Sequence, residues 1–165
     1  MLVKRKKKKV VIQVAGNPQY AKKTPQSQLI LNPATGLPGY GSFPAINTQG
    51  VIFSGGPIYL RYGVHLGPSR GWGFEHIWQA RFPDCPDQLS AIPEVTGLIN
   101  SILIPGATIH YEFGLGSIER RSSVFKNSAG IVIVEERVDG QNKIFYGIVT
   151  AFCAHNVNGP VIGAI

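Results

Sequence analysis

A chain of 165 residues is long enough for one domain with a substantial core, burying roughly two-thirds of the surface its unfolded form would expose. Its longest apolar runs, such as residues 131–134, are strand-sized, far short of the roughly 20 residues that cross a bilayer, so no membrane span is expected. Eight of the 16 Lys and Arg residues fall within residues 4–23 with no acid among them, and the other eight face all nine acids. The formal +7 thus collapses to −1 beyond Lys23, which excludes a generally basic surface for the rest of the chain.

In chain order, residues 1–14 carry the basic cluster with too few apolar residues behind it for a secretory signal, so export is expected only as part of something larger. The run at residues 4–9 reads as a solvated tail or as sequence-blind attraction to phosphates that fades with salt. Residues 15–50 are rich in Gly, Pro, Asn, Ser and Thr, with turn pairs at Asn17-Pro18 and Asn32-Pro33 and a turn at Gly36-Leu37-Pro38-Gly39. They are expected to form an irregular arm over the domain or a linker. The division is therefore residues 1–50 as tail and arm, and residues 51–165 as the functional domain.

Residues 51–53 and 58–61 are short strand candidates flanking a turn at Gly55-Gly56-Pro57. Phe74, Ile77, Trp78 and Arg81 recur at helical spacing and place a short helix at 73–82, ended by Pro83 and Pro86. A second helix is expected within 87–103, interrupted or restarted at Pro93, with Val95, Leu98, Ile99 and Ile102 on one face and Pro105-Gly106 behind it. From Thr108 the pattern changes to period two. Strands are expected at 108–113, 117–126, 131–137 and 143–152, separated by breaks short enough for hairpins: Gly114-Leu115-Gly116, Asn127-Ser128-Ala129-Gly130 and Asp139-Gly140-Gln141-Asn142. Helices followed by a four-stranded antiparallel meander give an α+β domain. Cys85 and Cys153 match no metal or redox spacing and read as two ordinary thiols or one bridge.

Candidate chemistry concentrates at residues 60–78. His65 and His76 lie eleven residues apart among Gly63, Gly67, Gly71 and Gly73, which permit tight turns and close approach to the backbone. A loop carrying His65 that reverses at 67–73 would bring it back to His76 on the following helix. Four histidines at spacings of 11, 34 and 45 residues match no compact zinc pattern, and His110 and His155 read as structural. Phe74 and Trp78, and Trp72 with them, read as core before they read as base-stacking groups.

The ordered set Gly63-Val64-His65, Gly71-Trp72-Gly73-Phe74, His76-Ile77, Arg121-Ser122-Ser123 and Val149-Thr150-Ala151-Phe152 resembles the C-terminal nuclease domains of bacterial polymorphic and contact-dependent growth inhibition toxins, in the superfold shared by barnase, EndoU, colicin-type tRNases and RelE. The resemblance covers about residues 51–152. It implies an endoribonuclease toxin that cuts RNA, tRNA among the candidates, needing neither cofactor nor metal because the ribose 2′-hydroxyl is the nucleophile. His65 and His76 would be the acid and base, in either order. Arg121 would hold the phosphate and Thr150 donate to it; Arg120 competes with Arg121, since neighbours on a strand face opposite ways. Tyr146, four residues before Thr150 and on its face by period two, would stack on or orient the substrate, with Arg70 and Lys126 as further binding groups. A cognate immunity protein is the expected partner, and delivery from a larger secreted or cell-surface toxin into the target cytoplasm the expected route. The competing readings are a deoxyribonuclease and a non-catalytic RNA-binding or ribosome-associated module.

Overall fold

A computed structural model describes residues 24–48, 50–111 and 122–165. The strands in chain order are β1 (Gly39–Phe43), β2 (Ile46–Thr48), β3 (Val51–Phe53), β4 (Gly56–Tyr59), β5 (Val64–Gly67) and β6 (Arg70–Trp72). Helices α1 (Gly73–Arg81) and α2 (Gln88–Ile102) follow, then β7 (Thr108–Tyr111), β8 (Ser122–Asn127), β9 (Gly130–Val138), β10 (Ile144–Phe152) and β11 (Val161–Ala164). The protein is α+β, as the change of period from helical to alternating predicts.

The expected meander is present as β7-β8-β9-β10, each pair antiparallel, but it is the middle of a seven-stranded sheet ordered β1-β4-β10-β9-β8-β7-β11. Four strands would have left both sides of the meander with unpaired backbone groups. Instead β11 closes on β7, and β4 pairs in parallel with β10 while β1 covers β4. Gly56 and Pro57, expected as a turn, open β4. The missing amide of Pro57 costs nothing that close to the strand start.

Residues 24–48 are likewise more than an arm. Ile30 and Phe43 are fully buried, Tyr40 and Ile46 nearly so, and all four belong to the same core as the helices, so no boundary at residue 50 divides the described chain. Burial of these large side chains outweighs the turn-rich composition around them. Phe43 stacks on Tyr146 with ring centroids 4.0 Å apart, and Phe53 closes the group 5.3 Å from Phe43.

α2 packs on one face of the sheet, and α1 lies against β10 and α2. α1 contributes Phe74 and Ile77; α2 contributes Ala91, Ile92, Val95, Ile99 and Ile102 against Val132, Val134, Ile148 and Ala151. α2 runs through Pro93 without a break. Pro93 sits on the exposed side of the helix, as does Leu89, whose carbonyl is the one that loses its helical partner. Cys85 and Cys153 are both free thiols.

Candidate active site

Three glycines shape the segment around the histidines. Gly63 has φ +73°, and a Cβ there would lie 1.8 Å from the Trp72 carbonyl oxygen. Gly71, at φ +134°, would push a Cβ to 2.3 Å from the Val64 oxygen and 2.8 Å from His76 Nδ1, while Gly73, at φ +81°, would meet the Arg61 oxygen at 2.6 Å. Only glycine fits these positions. The chain can therefore fold β5 and β6 into a hairpin and start α1 immediately against it.

His65 lies on β5, not on a loop, directly opposite Gly71 on β6, and the reversal occurs at residues 67–70. His76 occupies the first turns of α1. The two imidazoles meet with their Nδ1 atoms 3.1 Å apart and their planes 27° from parallel. Between two Nδ1 atoms one must carry the proton and the other accept it, which leaves each Nε2 for another partner. The Glu75 carboxylate accepts the His65 backbone N–H at 3.1 Å, tying β5 to the start of the helix. Glu75 thus serves the site through the backbone. His76 is buried, and its pKa is lowered from the ordinary 6.5 first by burial, then by the nearby charges of His65 and Arg81.

His76 faces a cavity of about 760 Å³ on the side of the sheet opposite the helical core. Its floor is the reverse face of β8, β9 and β10: Ser122, Ile133, Glu135, Val149, Thr150 and Phe152. Its walls include Trp72 and Arg70 from β6, and Arg81 from α1. Thr150 Oγ1 is buried there without a hydrogen-bond partner among the described residues, an uncompensated hydroxyl of the kind a ligand oxygen would satisfy.

The cavity thus brings His76, Thr150 and Arg70 together, with His65 held behind His76. Tyr146 goes elsewhere. A β-bulge at Val149 advances the register, so that Ile148 pairs with Val134 but Thr150 pairs with Ile133. Tyr146 and Ile148 face the core before the bulge, and Ala151 faces it afterwards, which turns Val149, Thr150 and Phe152 to the cavity. Tyr146 is fully buried, its hydroxyl donating to the Ser54 carbonyl and to Glu136 Oε2, and its ring offers no face to a substrate. Lys126 lies four residues along β8 from Ser122 and is not in the cavity wall. Arg120 and Arg121 fall outside the described residues, as do the basic segment at residues 4–23, the first part of the strand expected at 117–126 and the Gly114-Leu115-Gly116 break.

Sequence reasoning missed Glu135 and Arg81. Glu135 is 5 % exposed on the cavity floor and ion-paired with Arg137 at 2.6 Å. Its signal was an adjacent acid pair, Glu135-Glu136, directly after an apolar run in the same strand, since period two sends one of the two to each face. Arg81 stands over the Phe152 ring at 4.7 Å. His110 is held between Thr108 Oγ1 and the Gly159 carbonyl, away from the cavity residues. No protein-family model, curated protein or solved structure matches this chain.

Proposed function

We propose that the protein is a metal-independent endoribonuclease of the toxin type its sequence resembles, acting through the His65–His76 pair. The observation that carries the reading is the 3.1 Å contact between the two imidazoles, with His76 on the wall of a cavity of mixed polar and apolar lining, beside the Thr150 hydroxyl that has no partner among the described residues.

Two hydrogen-bonded imidazoles can together take one proton and return it. The lowered pKa of His76 keeps a neutral nitrogen at pH 7. In the proposed reaction an Nε2 of the pair accepts the proton of a ribose 2′-hydroxyl, and that oxygen attacks the adjacent phosphorus. The bond from phosphorus to the 5′-oxygen breaks, and the pair protonates the departing oxygen. The products are a 2′,3′-cyclic phosphate and a 5′-hydroxyl, with the pair back in its starting state. Thr150 would donate to a non-bridging oxygen, and Arg70 and Arg81 would supply positive charge around the phosphate. Arg121 or Arg120 would add to this, as the resemblance implies. An immunity protein would act by covering the cavity, and delivery would be as part of a larger toxin.

The test is incubation of the purified chain and its His76→Ala variant with total RNA, with and without EDTA. The expected result is cleavage that survives EDTA, yields 2′,3′-cyclic ends and disappears in a variant with an unchanged circular dichroism spectrum. Cleavage of 2′-O-methylated RNA, or cleavage abolished by EDTA and restored by zinc, would overturn the mechanism. The eight cations of residues 4–23 favour a second reading, a non-catalytic RNA-binding module. Under that reading the wild-type chain would bind RNA and leave it uncut.

A further inference from the structure

The chain has two tryptophans, and they are used differently. Trp78 packs against the core and its Nε1–H donates to the Cys85 carbonyl at 3.1 Å. Trp72 instead lines the cavity that His76 faces. The Arg61 guanidinium stands 4.4 Å from the centroid of the Trp72 ring and 5.3 Å from that of Phe145. Arg61 does not itself line the cavity, so it holds the indole without being part of the wall. The Trp72 backbone is equally constrained: it pairs with Val64 across the hairpin, and Gly63 packs against its carbonyl so closely that no side chain would fit. The ring is therefore ordered before any ligand arrives, which removes much of the entropic cost of using it.

We propose that Trp72 is a stacking platform for one unpaired nucleobase, so that the substrate enters as single-stranded RNA; this deepens the ribonuclease reading and rests on it. An indole lining a cavity of mixed polar and apolar character beside a candidate acid–base group offers what an extruded base needs, a flat apolar ring held in place by a cation. Phe152, under Arg81, provides a second aromatic surface in the same cavity. The volume of about 760 Å³ lies in the range of small-ligand sites and suits unstacked nucleotides. An A-form duplex keeps its bases paired and stacked inside, and would present no free base face to Trp72.

The test uses the full chain and a labelled all-2′-deoxy tetranucleotide, which cannot be cut by 2′-hydroxyl attack. The comparison ligand is the same sequence locked in a duplex. Salt at about 0.3 M suppresses attraction to the basic segment. The single strand is expected to quench tryptophan fluorescence saturably, and the duplex to do so at least tenfold more weakly. Trp72→Leu is expected to abolish the quench and raise Kd by about 10- to 100-fold, with Trp72→Phe retaining most of the affinity. Equal binding of single strand and duplex, no quench by either, or wild-type affinity in a folded Trp72→Leu would overturn the proposal. If Trp72→Leu does not fold, Arg61→Met is read instead, with weaker single-strand binding as the expected result and unchanged affinity as the contrary one. Binding is scored without cleavage, so quenching by the tetranucleotide alongside uncut RNA would remove the nuclease reading and leave the platform standing.

Discussion

The two helices begin in opposite ways. At α2, Asp87 accepts the Ser90 backbone N–H at 2.8 Å, and the Ser90 side chain reaches back to the Asp87 backbone, so the first turn is closed by residues within three positions of one another. At α1, Trp72 provides no side-chain cap. The N–H groups of Phe74 and Glu75 donate instead to the carbonyls of Arg61 and Tyr62, at 2.9 and 2.8 Å. Those carbonyls lie more than ten residues upstream, and reaching them requires the chain to double back through the β5–β6 hairpin. That return brings His65 against His76. A locally capped terminus stabilises a helix and does nothing else, whereas a terminus capped by distant backbone also fixes the approach of a second segment.

The contrast is broken most severely by Gly71→Ala. The added methyl would collide with the Val64 oxygen and His76 Nδ1 at a φ that disfavours side chains. A loss of at least ~2 kcal/mol in urea unfolding, together with loss of RNA cleavage, is expected. His76→Ala should reduce kcat by about 10²- to 10⁴-fold with little loss of fold, read by single-turnover kinetics beside circular dichroism. Arg81→Gln tests the electrostatics at His76, read from the position of the pH limb and not from the absolute rate, because Arg81 also lines the cavity. Because Arg81 helps to hold the His76 pKa below 6.5, removing it should move the acidic limb of the kcat/KM profile upward, toward 6.5.

The same shift makes a statement about stability. The unfolded chain takes up the histidine proton at higher pH than the folded one, so this contribution is complete above 6.5 and is lost as pH falls through the folded pKa. Arg81→Gln should shrink that loss, as measured by Tm between pH 7 and pH 5. The smallest effect belongs to the other helix. Asp87→Ala should lower Tm by a few degrees and leave cleavage unchanged, since its bonds close α2 and touch nothing in the cavity. A cleavage defect in that variant would show that the two termini are not independent.

Much of the fold was legible because it is written locally. The hairpin breaks at residues 127–130 and 139–142, the alternation along β8 to β10 and the helical spacing of Phe74, Ile77 and Trp78 each reflect backbone preferences within a few residues. The convergence of His65 and His76 was legible for the same reason, since the intervening glycines permit a tight reversal within a few residues.

What only the tertiary structure decided is where local periods are interrupted or long segments join. The bulge at Val149 moved Thr150 to the cavity and left Tyr146 in the core, although strict alternation placed them on one face. The addition of β1, β4 and β11 to the meander, and the burial of Ile30 and Phe43 within a turn-rich segment, depend on partners far away in the chain. So does the choice of Glu135 for the cavity and Glu136 for Tyr146, which identical side chains cannot encode. A side chain's period follows from its own backbone, but the face on which that period lands is fixed by the packing and hydrogen bonds of strands brought together only in the folded chain.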